Sequence, residues 1–539
     1  MWQKPFITCH KYIFLMSCGI LYPAFVEIAH PIFSKRLSYK IALSIIWQAC
    51  SGTHKQSDIK WRIIMRIIGR TREKDIITQC LKSKRPEFIA IYGRRRIGKT
   101  YLIREYFNNR FSFYASGVTN ENMAGQLKAF SANLVEYGDE NKRAPKDWYE
   151  AFARLKALMS KPDVYRESIF DRIIVFLDEI PWMDTPRSDF KSALEHFWNT
   201  WASARDDMVL IICGSATTWI IENILQGKKG FHNRVTRQIH LAPFNLKDCE
   251  ELLEYNDISM PKDQIIESYM VFGGVPYYLN MLDSRFSLAQ NIDELCFRPH
   301  GELHNEYHNL FYALYKKPEN HLSIIAALSE KQSGMTRNEI AKKAGLESGA
   351  LLTKNLLELE QCGFIRKSAN SMNKTRNMIY QLIDPFILFS LRFIAGNGLT
   401  SWTSYHGSPA YNSWRGHAFE IVCLNHVPQI KSALRIAGVE TQEYAWRSNG
   451  NELGAQIDLV IDRRDGVVNL CEMKYSSDAY VTTSDEYKKL QNRINRFAKE
   501  TGSKKSLHIT LVSANGLKQN KYSSVFQNSI SGDELFVDG

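Results

Sequence analysis

The chain of 539 residues has no two cysteines in C-x-x-C spacing, and its ten cysteines are scattered. The sequence therefore indicates no disulfide framework, which fits a protein of the reducing cytosol, and we expect a cytoplasmic location. Long apolar runs are also lacking. The run at residues 12–26 is interrupted by Pro23 and followed by Glu27, so it is short for a membrane span, and we expect no stable membrane insertion.

The formal net charge of +12 is unevenly distributed along the chain. Residues 1–64 carry eight Lys/Arg and two Asp/Glu, whereas the other 475 residues carry 61 basic and 55 acidic side chains. The long part is thus only mildly basic, and net charge alone gives little support for nucleic-acid binding. We interpret residues 1–64 as an atypical N-terminal extension. Met65 leads directly into a helix and a strand, so we expect it to be the natural start.

A glycine-rich motif, G-x-x-x-x-G-K-T, lies between an apolar run at residues 88–92 and a helix-like segment at residues 101–107. A strand, a glycine loop and a helix in this order surround a phosphate with backbone N–H groups and direct the positive end of the helix at it. Lys99 would reach the β- and γ-phosphate oxygens, and the Thr100 hydroxyl would ligate Mg²⁺. The predicted nucleotide-binding residues are Gly93, Arg94, Arg95, Arg96, Ile97, Gly98, Lys99 and Thr100.

Two later strand ends carry the polar groups that such a loop needs. Asp178 and Glu179 follow a β-branched apolar run, so Asp178 would hold Mg²⁺ through water and Glu179 would polarise the attacking water. Ser215 ends a further strand, at residues 208–215, and is predicted to contact the γ-phosphate or the attacking water. Strands that alternate with helices in this way predict a parallel sheet covered on both faces.

Arg234 and Arg237 follow these strands. An arginine at this point could neutralise the charge that develops on the phosphoryl group, within one chain or from a neighbouring subunit. The second arrangement would require self-association. The alternative interpretation is a solvated basic loop.

These segments together resemble the archaeal and bacterial AAA-like ATPase family placed in the STAND class of P-loop NTPases. The matching segments are residues 91–100, 177–183, 213–216, 233–237 and 272–276. The last one lies where that class places its G-x-P element, which is thought to couple the nucleotide state to the helical part of the module. The resemblance covers residues 65–282 and implies an ATPase with ATP and Mg²⁺ as cofactors.

The middle of the chain predicts a helical extension and then a unit that resembles a winged helix. Residues 322–329, 336–344 and 348–362 are predicted to form three short helices, and residues 364–383 a β-hairpin. The hairpin carries the basic residues Arg366, Lys367, Lys374 and Arg376. Contact with DNA phosphates through this hairpin is one interpretation, and a rigid intramolecular connector is the other.

Near the C-terminus, a hairpin with a three-residue turn centred on Asp465 would place Asp458 opposite Glu472, whereas a two-residue turn would shift the pairing by one. Lys474 lies two residues after Glu472 and so on the same face of the second strand. Two carboxylates and a lysine could form a Mg²⁺ site. The arrangement resembles the PD-(D/E)xK restriction-endonuclease-like fold, in which Glu420 would be the helical acid, although Ile457 stands where that motif usually has proline. The ATPase family above often carries such a C-terminal domain. It could cleave DNA, or it could bind DNA or protein without cutting.

The sequence thus predicts an α/β protein built on a P-loop NTPase sheet. The expected parts are an N-terminal extension (1–64), an ATPase core (65–245), a helical extension (246–318), a winged helix (319–383) and a C-terminal α/β PD-(D/E)xK-like domain (384–539). The expected function is that of a nucleotide-dependent switch, coupled to a module that binds or cleaves DNA. The alternative is a regulatory ATPase without nuclease activity.

Overall fold

Five strands pair into one parallel sheet in the computed structural model, and three of them are apolar runs rich in Ile, Val, Leu or Phe. The strands are β1 (Glu87–Tyr92), β2 (Phe113–Ser116), β3 (Ile173–Asp178), β4 (Met208–Gly214) and β5 (Arg237–His240). Their order across the sheet is β2-β3-β4-β1-β5. Every residue of β3 and β4 is buried, as expected for a parallel sheet with both faces covered. The predicted α/β fold with a parallel sheet is confirmed.

The structure describes residues 67–226, 231, 233–369, 378–395, 401–448 and 455–538. All of them belong to one compact unit, Arg66–Gly539. The predictions for residues 1–64, Met65, Lys374 and Arg376 lie outside the described residues. Within the described part, no helix is long and apolar enough to cross a membrane.

Helices cover both faces of this sheet. They are α1 (Thr71–Lys82), α2 (Lys99–Tyr106), α3 (Met123–Glu136), α4 (Trp148–Met159), α5 (Ile180–Met183), α6 (Phe190–Thr200) and α7 (Thr217–Ile220). Large aromatic side chains fill the space between α4, α6 and the sheet. Trp148 packs edge-on against Phe190, with 4.8 Å between the ring centroids. Asn122 and Asp147 accept hydrogen bonds from the first turns of α3 and α4, which fixes where these two helices begin.

A helical segment follows the sheet. Its helices are α8 (Leu246–Tyr255), α9 (Lys262–Phe272), α10 (Pro276–Leu279), α11 (Leu288–Ile292) and α12 (Glu306–Leu314). Gly273 and Gly274 end α9 with positive φ angles of 68° and 65°. A side chain at Gly274 would place its Cβ 2.2 Å from the Phe244 carbonyl oxygen, so only glycine fits this close approach.

Residues 319–382 form three helices and a small antiparallel sheet of strand order β6-β8-β7. The elements are α13 (Glu319–Ser329), β6 (Met335–Thr336), α14 (Arg337–Ala344), α15 (Ala350–Gln361), β7 (Ile365–Ala369) and β8 (Met378–Leu382). Thr336 and Glu339 form the capping box that their spacing predicts. The three helices and the hairpin are therefore present, and their interpretation as a winged helix stays a prediction.

The C-terminal part contains a second sheet of strand order β15-β13-β11-β10-β9. The elements are α16 (Pro385–Phe389), α17 (Pro409–Asn425), α18 (Val427–Ala433), β9 (Thr441–Arg447), β10 (Gln456–Arg463), β11 (Val467–Lys474), β12 (Tyr480–Val481), α19 (Ser484–Thr501), β13 (Ser506–Ser513), β14 (Leu517–Lys518) and β15 (Asn528–Ser531). Strands β9, β10 and β11 are antiparallel, whereas β13 pairs parallel with both β11 and β15.

Short helical turns complete the description. The π-helical segments are Ile221–Leu225, Asp293–Phe297 and Ser390–Ile394, and the 3₁₀ segments are Ala202–Ala204, Thr403–Tyr405, Ser523–Val525 and Gly532–Leu535.

One hydrophobic core joins the helical segment to the C-terminal sheet. It includes Leu246 and Phe272 from the former and Phe419, Ile461 and Val512 from the latter. The imidazole of His426, which is fully buried, bridges the two parts: its Nε2 accepts from the Leu246 backbone N at 2.9 Å, and its Nδ1 lies 2.7 Å from the Val422 carbonyl oxygen. These segments consequently pack as one body, although the sequence reads as a series of separate parts.

Candidate functional site

The glycine-rich loop joins the end of β1 to the beginning of α2. Gly93 has φ +146°, and a side chain there would place its Cβ 2.3 Å from the Leu241 carbonyl oxygen. Gly98 has φ +86° and directly precedes the first residue of α2. The loop therefore needs glycine at both positions, and it leads into the N-terminus of α2, where backbone N–H groups can bind a phosphate.

Lys99 lies under this loop. Its ammonium donates to the carbonyl oxygens of Gly93, at 2.8 Å, and Arg94, at 2.7 Å. The side chain is almost fully buried, and burial lowers its pKa, while the nearby acidic groups of Asp178 and Glu179 oppose that change. The cation is thus fixed at the floor of the loop.

The ends of β3 and β4 bring the other predicted residues to the same edge. The Thr100 hydroxyl donates to Asp178 Oδ2 at 2.8 Å. Burial raises the pKa of Asp178, and its bond to Thr100 opposes the change. Ser215 donates to Glu179 Oε2 through its backbone N at 3.1 Å and through its hydroxyl at 2.9 Å. Four predicted side chains therefore meet beside the loop.

The oxygen donors here suit Mg²⁺. A hydroxyl and a carboxylate within hydrogen-bond distance are hard ligands, and Mg²⁺ in nucleotide sites takes few protein ligands and keeps waters and phosphates as the rest. Among the described residues, no group of three or more His, Cys, Asp or Glu side chains could hold a metal by itself. Thr100 and Asp178 consequently fit a Mg²⁺ that arrives with a nucleotide.

Two arginines of the loop turn to later parts of the chain. Arg94 forms a buried ion pair with Asp384, and its guanidinium lies 5.1 Å from the centroid of the Phe364 ring. Arg96 Nη1 lies 2.7 Å from Glu306 Oε2, and its guanidinium lies 4.4 Å from the Tyr277 ring centroid.

The partner of Arg96 is itself held in place. Tyr278 donates its hydroxyl to Glu306 Oε1 at 2.8 Å. Burial raises the pKa of Glu306, and Arg96 opposes that change. The side chains of Arg94 and Arg96 therefore anchor the loop, whereas Arg95 is exposed. In this arrangement Arg94 and Arg96 can contact a nucleotide through their backbone, because their side chains are paired with Asp384 and Glu306. The nucleotide-binding role of all three arginines stays a prediction.

Sequence reasoning missed two residues that support the loop. Arg70 donates through Nη2 to the Ile97 carbonyl oxygen at 3.1 Å, and its guanidinium lies 4.6 Å from the Phe244 ring centroid. A Gly-Arg pair directly before an amphipathic helix is a signal that could have indicated it. Asp384 has no such signal, since it lies 290 residues from Arg94 in the sequence.

Arg237 is not at this site. It begins β5, where its Cα pairs with Ile89, three residues before the end of β1. Its guanidinium donates to the Thr236 carbonyl oxygen at 2.8 Å. Arg234 lies still earlier in the chain and is exposed. Arg237 therefore lies beside the middle of β1, before the strand end that leads into the loop. The catalytic role of both arginines, within one chain or from a neighbouring subunit, stays a prediction.

The C-terminal residues also differ from their prediction. The register places Leu459 opposite Cys471, so Asp458 and Glu472 are opposite each other one step beyond, as a three-residue turn predicts. However, Glu472 Oε1 accepts from Lys474 Nζ at 2.8 Å, and its Oε2 accepts from Arg493. Burial alone would lower the pKa of Lys474, but Glu472 raises it.

Glu420 and Asp458 have other partners. Glu420 Oε2 lies 3.4 Å from His417 Nδ1, and Asp458 accepts from the side chain of Gln456. The described residues offer no set of three such ligands for a metal here. Groups of the chain thus bond both carboxylate oxygens of Glu472 and one carboxylate oxygen each of Asp458 and Glu420, and the Mg²⁺ site stays a prediction.

Arg366 contacts the C-terminal sheet. Its Nη2 donates to the Asp458 carbonyl oxygen at 3.1 Å, and burial lowers its pKa to about 10. Its neighbour Lys367 is exposed. This side of the hairpin therefore contacts the C-terminal sheet, and the connector interpretation agrees better with the structure.

Residues 68–282 match a family model described as an ATPase domain predominantly from Archaea. This match and the parallel sheet with its glycine-rich loop define these residues as a P-loop NTPase domain similar to those archaeal domains.

Individual relatives are similar over larger parts of the chain. An uncharacterized protein of Methanocaldococcus jannaschii is 26% identical over 407 residues, which are 72% of this chain and 83% of the relative. The Walker-type ATPase PABY2304 of Pyrococcus abyssi has a TM-score of 0.44 and 17% identity, with 60% of this chain and 96% of that one covered. A STAND protein with a tetratricopeptide repeat sensor, PH0952 of Pyrococcus horikoshii, has a TM-score of 0.27 and 18% identity, with 68% and 45% covered.

Proposed function

We propose that the protein hydrolyses ATP and acts as a nucleotide-dependent switch of the STAND type. The observation that carries this proposal is the meeting of five side chains at the edge of the sheet beside the loop: Lys99 under the loop, Thr100 bonded to Asp178, and Glu179 held by Ser215. Each of these has a role that phosphoryl transfer requires.

The chain's own residues would divide the work as follows. The loop N–H groups and Lys99 bind the phosphates, while Thr100 and Asp178 would hold Mg²⁺, which supplies charge neutralisation when bound. Glu179 orients the attacking water and accepts its proton. Ser215 fixes the Glu179 carboxylate through two hydrogen bonds, of 2.9 and 3.1 Å, so that one oxygen is held while the other stays available.

Two variants of the full chain test these roles. Lys99→Ala should lose binding of a fluorescent ATP analogue, because it removes the ammonium group that we expect to bind the β- and γ-phosphates. Glu179→Gln should still bind the analogue but hydrolyse ATP about a hundred-fold more slowly, which is the usual effect of removing a general base. Lys128→Gln, an exposed position on α3, is the matched control. Normal hydrolysis in both site variants would contradict the assignment.

For the remainder of the chain, we propose the four-part division at residues 245, 318 and 383, with the hairpin unit as a winged helix that serves as a connector. We further propose a cytoplasmic protein that self-associates if Arg234 or Arg237 acts on a neighbouring subunit. The C-terminal module would be PD-(D/E)xK-like, and the switch would control it.

Two candidate functions remain for that module. It binds DNA and cleaves it, or it binds DNA or protein without cutting. The bonds of Glu472 to Lys474 and Arg493 favour the second, since a metal would have to displace both cations. Plasmid incubated with Mg²⁺ and the full chain, with and without ATP, separates them. Cleavage by the parent that Lys474→Ala abolishes would support nuclease activity, and absence of cleavage under every nucleotide condition would support the binding function.

A further inference from the structure

The β7–β8 hairpin has contacts with two distant sites. Its strands pair so that Arg366 is opposite Gln381 and Ile365 is opposite Leu382. Phe364, directly before β7, and Asp384, two residues after β8, contact the Arg94 guanidinium of the nucleotide loop. Arg366, two residues beyond Phe364, contacts the C-terminal sheet at Asp458. The two strands and the residues that flank them therefore contact both the nucleotide loop and the backbone of β10 at Asp458.

The contact with the nucleotide loop is a buried charge pair. The side chains of Arg94 and Asp384 are each 2% exposed. Among the described residues, Arg94 Nε and Nη2 have no hydrogen-bond partner, so Asp384 is the group that compensates this cation. Asp384 Oδ1 also accepts from the Ile387 backbone N at 2.8 Å and thereby caps α16. Because a buried charge is costly without its partner, the loop cannot move away from Asp384 freely.

The contact with the C-terminal sheet depends on the same strands. Arg366 Nε donates to Gln381 Oε1 at 2.8 Å across the hairpin, and its Nη2 donates to the Asp458 carbonyl oxygen at 3.1 Å. Gln381 Nε2 donates in turn to the Gln332 carbonyl oxygen at 2.8 Å. Gln381 and Asp384 are three residues apart. A shift of β8 that moves the Asp384 carboxylate therefore also moves Gln381, which supports Arg366.

We propose that the β7–β8 hairpin couples the nucleotide site to the Asp458 region of the C-terminal sheet, with Asp384 as a positioning residue for the loop and Arg366 as the contact with β10. This inference rests on the proposed function, since it takes the nucleotide to bind at residues 93–100. Asp384 preorganises the loop through Arg94, and the hairpin preorganises Asp384. By thermodynamic linkage, a nucleotide that favours the anchored loop also favours the anchored β10, and the reverse holds equally.

Two substitutions of the full chain test the coupling. Asp384→Asn keeps the acceptor that caps α16 but removes the charge that faces Arg94. Arg366→Gln removes the contact with Asp458 and touches no residue of the nucleotide loop. We expect each to raise the Kd for a fluorescent ATP analogue at least five-fold, because a less anchored loop loses more freedom on binding. The Kd of the double variant should be little higher than that of the weaker-binding single variant, because both substitutions break the same link between the nucleotide loop and β10.

Hydrogen exchange supplies the reciprocal measurement. Addition of the ATP analogue to the parent should slow exchange of the β10 amides around Asp458 at least five-fold, and Arg366→Gln should abolish that protection. Lys367→Gln, exposed on the same strand, is the matched control and should leave both quantities unchanged. Melting temperatures identify a variant that fails to fold; if Asp384→Asn does so, Arg366→Gln still decides.

The outcomes separate the coupling from the function on which it rests. If the parent binds no nucleotide, the proposed function fails and the coupling with it. If the parent binds nucleotide but Arg366→Gln binds it within two-fold of the parent, or if nucleotide leaves the exchange of β10 unchanged, only the coupling is overturned.

Discussion

His426 should make the stability of this protein depend on pH between 4 and 6.5. The imidazole is fully buried between the helical segment and the C-terminal sheet. Its Nε2 accepts from the Leu246 backbone N, so the proton of the neutral ring must lie on Nδ1, which donates to the Val422 carbonyl oxygen. Protonation would place an N–H on Nε2 opposite the N–H of Leu246. Because the ring is buried, its charged form is disfavoured, and the pKa of His426 is lowered from 6.5 to about 4.

The sign and size of the effect follow from this pKa. Between pH 4 and 6.5 the unfolded chain binds a proton at His426 that the folded chain does not bind, so stability falls as the pH falls. The stability that the neutral His426 contributes is fully present above about pH 6.5 and is lost progressively as the pH falls toward 4. At pH 5 the loss amounts to about 2 kcal/mol of unfolding free energy, since one pKa unit corresponds to about 1.4 kcal/mol.

Urea unfolding of the full chain, followed by tryptophan fluorescence at several pH values between 5 and 8, measures this loss. Many carboxylates also titrate in acid, so the comparison is with His426→Gln, which keeps a hydrogen-bond acceptor but cannot be protonated. The parent should lose about 2 kcal/mol more than this variant between pH 7.5 and 5. His308→Gln, at an exposed position on α12, should behave as the parent does. Parallel losses in the parent and His426→Gln would refute the reasoning.

Two further predictions concern the nucleotide site and its support. Ser215→Ala removes the hydroxyl that donates to Glu179, so kcat for ATP hydrolysis should fall about ten-fold with KM unchanged, as steady-state kinetics can show; an unchanged kcat would contradict the role of the serine. Gly274→Ala forces a Cβ against the Phe244 carbonyl oxygen and should lower the free energy of unfolding by about 3 kcal/mol. The control is Gly345→Ala, which has a similar positive φ but open space and should cost only about 1 kcal/mol. Equal losses of the two variants in urea unfolding would contradict the role of the close contact.

The nucleotide site was largely predictable because its parts are local in the sequence. Residues 93–100 define a loop, a strand end and a helix start, and Asp178, Glu179 and Ser215 each lie at the end of an apolar run that predicts a buried strand. Parallel strands end at one edge of a sheet, so these residues were expected to meet, and they do. The hairpin at Asp458 and Glu472 was predictable for a similar reason, although only the structure decided between its two possible registers.

The partners of these residues were not predictable. Arg94 pairs with Asp384, and Arg366 bonds to Asp458, across 290 and 92 residues of sequence. The position of Arg237 opposite Ile89, before the end of β1, follows only from the register of β5. Glu472 looked like a metal ligand, yet Lys474 and Arg493 bond both of its oxygens.

Sequence by itself therefore determined the nucleotide motif and the alternation of strands and helices, because backbone conformation and apolar periodicity depend on neighbouring residues. Tertiary structure alone decided which charged groups compensate one another. A buried ion pair forms wherever packing brings two side chains within a few ångströms, and that depends on how distant elements pack together. For this protein, packing turned a loop with three arginines into one that is anchored to the helical segment by Arg96 and to the β7–β8 hairpin by Arg94.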